Sequence, residues 1–364
     1  IRPTVGRQIE KNTAIAVGIV AGDADAELQV IANVTEEDTA AIQDYLDRTP
    51  MEITCPETPC LLDIKLTGWL GGHSACVRVA NNHTNIIYMA RDGQVLKELP
   101  VNGNAEDHLQ NKSVLNVKDI ITFAETIPID VIRPTVGRQI EKNTAIAAEG
   151  LRNSWGANIG STLLQGGTDW ATQARAWAAA GSDARMNGCA LPVAIVCGSG
   201  NQGITCALPV MEYAEYLRCD HERLVRAVML SDLIAVHIKS YIGALSAFCG
   251  AICAACGAGA AITWLCGGTR EQIGATVSNT LGNVGGIVCD GAKASCAAKI
   301  SAAVDAAILG HDMAMQGRGF RAGEGLIQDT VEQTIASMGY VGRVGMKDTD
   351  IEILNIMIGK TQVC

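Results

Sequence analysis

Leu61-Leu62-Asp63-Ile64-Lys65-Leu66, Ala75-Cys76-Val77-Arg78-Val79 and Ile86-Ile87-Tyr88-Met89 are short, partly alternating runs separated by turns, and Asp92-Gly93 comes after the last of them. Alternation marks half-buried strands, and Asp-Gly marks a tight hairpin. Together with Met51-Glu52-Ile53-Thr54, these runs predict a small antiparallel sheet within residues 51–100. From Val117 the period becomes helical. Ile120, Ile121, Phe123 and Ala124 come first, then Ile140, Ile146 and Leu151, and the remainder to Cys364 reads as helices joined by Gly-rich turns. Residues 17–50 read as a loop and a short helix, with Thr35-Glu36-Glu37-Asp38 at the helix start. The expected fold class is α+β, with an α+β lobe over residues 1–125 and a larger all-helical domain over residues 126–364.

The 364 residues include 28 Lys+Arg and 38 Asp+Glu, a formal net charge of −10, with 48% hydrophobic and 18% charged residues. That balance supports a large core and excludes global disorder. The acid excess offers no basic face to a phosphate backbone, and 4% aromatics offer few stacking platforms, so no nucleic-acid partner is expected. Ser240–Thr269 carries no charge and is long enough to cross a bilayer, yet it is mainly Ala, Gly and Cys. It is expected as a helix pair buried inside a soluble domain, with no membrane partner. Ile1-Arg2-Pro3-Thr4 has no apolar run behind a basic start, so no signal peptide is read and a cytoplasmic, reducing location is expected. The 14 cysteines are then free, buried or metal-bound rather than paired. Residues 1–16, IRPTVGRQIEKNTAIA, recur unchanged as residues 132–147. A letter-perfect copy of one short stretch is expected to come from a recent rearrangement or a sequence-assembly error, not to record the natural N-terminus.

Gly198-Ser199-Gly200-Asn201-Gln202-Gly203 spells G-x-G-x-x-G, behind the strand-like Pro192–Cys197 and with Asp220 about where a ribose-binding acid would fall. An NAD-binding enzyme is therefore one alternative. Against it, Pro209 is expected to interrupt the required helix, and Met211–Leu230 reads as a helix, so no second strand delivers Asp220. What remains is a turn rich in backbone N–H groups, with Ser199, Asn201 and Gln202 as polar tips between Gly200 and Gly203. Such a nest suits a carboxylate or phosphate, against the plainer reading of a tight interhelical turn. In Ser182-Asp183-Ala184-Arg185-Met186 the acid and the base are two apart and cannot face each other on a helix, so each needs another partner. Read alone, this segment is an exposed charged turn.

Cys249, Cys253 and Cys256 share one helical face, but Cys253-Ala-Ala-Cys256 has no matching second C-x-x-C, so no structural zinc is expected. Cys253, Cys256 and Cys266 read as small buried hydrophobes. Cys289-Asp290-Gly291-Ala292-Lys293-Ala294-Ser295-Cys296 is a polar loop with two thiols next to a helix start, which is competent for metal. His83, in Asn81-Asn82-His83-Thr84-Asn85, sits at a turn leading into a strand and reads equally as a surface histidine.

Three segments together resemble the bacterial and archaeal L-cysteine desulfidase family. They are Ser182–Met186 with Gly198–Gly203, Ile238-Lys-Ser-Tyr-Ile-Gly-Ala-Leu-Ser-Ala-Phe-Cys249, and Ile287-Val-Cys289-Asp-Gly-Ala-Lys, joined by His83-Thr84-Asn85-Ile86. The helical part of that family is similar to the α domain of iron–sulfur L-serine dehydratases. The resemblance covers about residues 20–345. It implies a lyase that uses a [4Fe–4S] cluster held by three cysteines, with one iron open. Two of these fall on Cys249 and Cys289. The third belongs to a Gly-Cys-Thr-Glu-Pro motif that residues 1–364 do not contain, and Cys296 is the nearest substitute. The implied reaction is β-elimination of L-cysteine or L-serine to pyruvate and ammonia, with sulfide from cysteine. The substrate carboxylate is expected in the Ser199–Gly203 nest with Asp183 and Arg185 nearby, and His83 or Lys239 as base. Cys364 is expected to cap the open iron or to be a free thiol on a disordered end. The partner is a small amino acid, and a homo-oligomer is compatible with the sequence. A cluster-free, inactive or ligand-binding member of the same fold is the other alternative.

Overall fold

The computed structural model describes the chain except residues 1–2, 53, 55–57, 59, 61, 82–83, 102–113, 244–245, 358–360 and 362–364, and except the side chains of 3–11 and 27–29. The chain divides into two compact units, residues 1–109 with 352–364, and residues 110–351.

The first unit contains α1 (Pro3–Val20), α2 (Thr39–Arg48) and the strands β1 (Asp63–Leu70), β2 (His73–Ala80), β3 (Ile86–Arg91) and β4 (Gln94–Glu98). The strands form an antiparallel meander in chain order. Gly71 and Gly72 turn β1 into β2 with φ of 57° and 83°, and Asp92 and Gly93 turn β3 into β4 with φ of 50° and 79°. Two consecutive positive φ values are what a twisted two-residue hairpin requires. Asp63 on β1 and Arg78 on β2, diagonal neighbours two residues out of register, form a forked ion pair, Nε to Oδ1 at 2.8 Å. As expected, Thr35 and Asp38 form a capping box ahead of α2. Two expectations fail. Residues 17–20 continue α1 instead of starting a loop, and the described residues of Met51–Thr54 form no strand.

The second unit is helical: α3 (Val117–Thr126), α4 (Ile129–Arg152), α5 (Ile159–Gly166), α6 (Trp170–Met186), α7 (Gly200–Tyr216), α8 (His221–Ile242), α9 (Gly250–Leu265), α10 (Arg270–Val284), α11 (Cys296–Met315) and α12 (Val331–Tyr340), then the start of α13 (Lys347–Met357). The architecture is α+β, as the sequence predicts. Ser240–Thr269 is not a helix pair. It is the end of α8, a loop and the single helix α9, buried on nearly every side by α7, α8, α10 and α11. A helix apolar all round belongs in a core. Its small residues let neighbours close in: a Cβ on Gly257 would lie 2.2 Å from the Ser231 carbonyl oxygen of α8.

A polar lock joins α3, α8 and α12. Glu332 accepts the Val117 N–H at 2.7 Å through Oε1 and bonds His237 Nε2 at 2.7 Å through Oε2. Burial pushes the Glu332 carboxyl up, but these bonds outweigh it and the net shift is downward. A carboxylate held below its unfolded value stabilises the fold above that value, and the benefit disappears as pH falls through the folded value. Glu332→Gln should therefore melt below wild type at neutral pH, and the gap should close as pH drops below about 4. A gap in Tm unchanged between neutral and acidic pH would refute this.

Candidate active site

A two-strand contact brings distant cysteines together. Phe248 and Val288 form an isolated antiparallel bridge, with the Cys249 N–H on the Ile287 carbonyl at 3.1 Å and the Cys289 N–H on the Ala247 carbonyl at 2.6 Å. This hooks the start of α9 onto the loop between α10 and α11, and the Cys249 and Cys289 thiols share a hydrogen bond. That bond and then burial raise Cys249. The same bond lowers Cys289 against its burial, helped by the Gly291 N–H and the Lys299 charge. Of the two, Cys289 is the sulfur pushed toward the thiolate.

Cys296 opens α11, its Sγ accepting the Lys293 N–H at 3.5 Å and lying 3.7 Å from the Gly291 carbonyl. Lys299, one turn on, forms a close ion pair with Asp290. Burial lowers the Lys299 pKa, but the bond and charge of Asp290 raise it overall, so it stays an ammonium. Among the described residues no three His, Cys, Asp or Glu are grouped to hold a single metal ion. Cys296 therefore does not complete an ion-binding trio with Cys249 and Cys289.

The Ser182–Met186 segment is the last turn of α6, not an exposed charged turn, and Ser182 and Asp183 are wholly buried. As the spacing requires, the acid and the base part company. Asp183 Oδ2 accepts the Gly160 N–H at 3.0 Å and so holds the start of α5, while burial raises its pKa. Arg185 turns to α7, donating from Nη1 to Asn201 Oδ1 at 3.2 Å and packing so closely on Gly200 that a Cβ there would meet Nε at 2.4 Å. Burial lowers its pKa. A half-buried guanidinium with no carboxylate partner among the described residues suits an anion.

The Gly-rich turn is held from α4. Val196 and Ser199 exchange backbone bonds of 3.2 and 3.0 Å around Cys197 and Gly198, whose φ values are 52° and 77°. Asn143 Oδ1 accepts the Ala194 N–H at 2.9 Å, and Gln139 Nε2 donates to the Gly203 carbonyl at 3.3 Å and to Asp232 Oδ1 at 2.9 Å. A Cβ on Gly203 would meet the Ala194 carbonyl oxygen at 2.1 Å, so this crossing needs glycine. Asn143→Leu leaves the Ala194 N–H without its acceptor and should cost about 1–3 kcal/mol. A urea midpoint equal to wild type would show that the clamp carries no such load.

The helix starts divide by capping. Asn116, Asp169, Asp220, Thr269 and Thr330 cap α3, α6, α8, α10 and α12 with side-chain oxygens. The N-cap residues of α7, α9 and α11 (Ser199, Cys249 and Ser295) make no such bond, and α2, α4 and α5 also lack a side-chain cap bond. Ser199-Gly-Asn-Gln202 has the spelling of a capping box, but Gln202 does not reach back. Its Nε2 lies 3.5 Å from the Cys197 carbonyl, and its amide presses on Gly250, where a Cβ would be 2.7 Å from Cδ. Open N-termini present N–H donors and positive dipole ends, and Arg185 and Lys299 add two cations. The arrangement suits an anion beside a thiol pair.

The dinucleotide reading does not survive. The four strands form the separate antiparallel sheet, Pro192–Cys197 enters no parallel sheet, and Asp220 caps α8. Pro209 also does not interrupt α7, which runs through it to Tyr216. Lys239 lies near the end of α8, its charge felt by Cys253, one turn past Cys249 on α9. His83 and Cys364 lie outside the described residues. Sequence reasoning missed Lys299 and Asp290. The spacing of Cys296 and Lys299, one turn apart at a helix start, was the available signal.

Residues 25–355 match the family model described as the serine dehydratase alpha chain. The chain belongs to this family. Relatives named UPF0597 protein include one from Lachnoclostridium phytofermentans, 47% identical over 346 residues, covering 95% of this chain and 83% of the relative. One from Desulfitobacterium hafniense is 45% identical over 348 residues, covering 95% and 81%. Another, from Aeromonas hydrophila, is 39% identical over 360 residues, covering 96% and 81%. In this serine dehydratase alpha chain member, no helix among the described residues is long and apolar enough to cross a membrane.

Proposed function

We propose that the chain is a lyase that eliminates the β-substituent of a small L-amino acid, L-cysteine or L-serine, giving pyruvate and ammonia, with sulfide from cysteine. The observation that carries this reading is the Cys249–Cys289 thiol pair beside Arg185 and three uncapped helix starts. The donors suit a [4Fe–4S] cluster, since thiolates on a loop beside helix starts, flanked by cations, match its chemistry and charge. Cys249 and Cys289 would hold it, with Cys296 at the start of α11 as the nearest further thiolate. When bound, the cluster supplies a Lewis acid for the leaving group.

The chain's own residues do the rest. Arg185, Asn201 and the N–H groups opening α7 bind the α-carboxylate, with Ser199, Gly200 and Gly203 shaping the turn. Lys239 is the base with a described position for the α-proton; His83 is the other candidate. Lys299, held cationic by Asp290, balances the thiolate charge. The released aminoacrylate hydrolyses to pyruvate and ammonia.

The second reading is a cluster-free member that binds amino acids without turnover. Anaerobic purification separates the two. The lyase reading expects iron, a brown absorbance and pyruvate from L-cysteine or L-serine, all lost with a chelator. Colourless, iron-free protein that binds these amino acids and releases no pyruvate would overturn it.

A further inference from the structure

Gln202 is 5% exposed, and its Oε1 has no hydrogen-bond partner. An amide oxygen buried without a donor is costly, so such a group points to something that arrives later. Its surroundings limit what that is. The Nε2 end is directed to the Cys197 carbonyl, which fixes the other end as an acceptor. The amide lies against Gly250, the residue after Cys249. On its other side the next residue, Asn201, is held by Arg185, the guanidinium with no carboxylate partner among the described residues. The anion-binding side and the thiol pair thus flank a lone acceptor.

We propose that Gln202 is the specificity residue for the α-amino group: its Oε1 accepts a hydrogen bond from the substrate's α-ammonium while Arg185 and Asn201 hold the α-carboxylate. This rests on the amino-acid lyase reading and extends it. An α-amino acid places its ammonium and carboxylate on one carbon, and Gln202 opens the same turn of α7 as Asn201, the residue that Arg185 holds. A carboxylate of similar size without the amino group would fill the same space and leave the oxygen unpaired.

The test compares L-serine with 3-hydroxypropanoate, measured by calorimetry on the full anaerobic protein. Wild type should bind L-serine more tightly. Gln202→Met keeps the length and removes the acceptor, so the preference should fall about tenfold or more, with 3-hydroxypropanoate affinity little changed. Gln202→Glu, which keeps an acceptor and adds charge, should retain or increase the preference. Equal weakening of both ligands in Gln202→Met would make the role structural and overturn the proposal, and so would an unchanged preference. Wild type that binds neither ligand would overturn the amino-acid reading itself, and this proposal with it.

Discussion

Cys289→Ser, purified anaerobically, is expected to lose its iron and brown colour and to turn over L-cysteine and L-serine slower by roughly a thousandfold or more. Serine keeps the size but replaces a sulfur already pushed toward the thiolate by the bond from Cys249, the Gly291 N–H and Lys299. A hydroxyl does not ionise there, so a soft metal loses its ligand. Cys256→Ser is the control, because Cys256 is wholly buried on α9 and raised by burial. It should keep iron while melting lower. Full iron and activity in Cys289→Ser would end the cluster assignment.

The second large effect has opposite signs in two assays. Arg185→Met should raise KM for the amino acid by about a hundredfold, the loss of a charged hydrogen bond to a carboxylate. It should also raise Tm, because the free protein no longer holds a half-buried guanidinium whose charge desolvation opposes. Substrate should narrow the difference by stabilising wild type alone. Unchanged KM with a lowered Tm would mean that Arg185 serves packing alone.

The sheet was legible because its inner strands alternate and Asp92-Gly93 has one preferred turn. β4 escaped notice because Gln94–Glu98 is exposed throughout and has no buried face to pattern. α9 has no period either, since every side is buried, so its boundaries within Ser240–Thr269 could not be read. Site residues divide the same way. The separation of Asp183 from Arg185 came from helix geometry. The burial of Ser182 and Asp183 did not, because nothing local tells a polar helix end that other helices will cover it. The meeting of Cys249 with Cys289 depends on a bridge between loops 40 residues apart. Local pattern is silent on such a contact, and it came only from family resemblance.

The sixteen-residue sequence shared by α1 and α4 is helical in both places, yet only the second copy belongs to the helical core, where Ile132, Val136, Ile146 and Ala147 are buried. The shared letters alone do not fit the first copy to the surface that α4 packs against. The residues just past each copy decide the contest. Gly150 meets α6 so closely that a Cβ would fall 2.0 Å from the Ala180 carbonyl oxygen, and the residue at the same place after the first copy is Ile19. An isoleucine cannot enter that contact. A bare backbone at one position outside the duplicated letters, where the other copy carries a four-carbon side chain, separates a helix that α6 accepts from one it excludes.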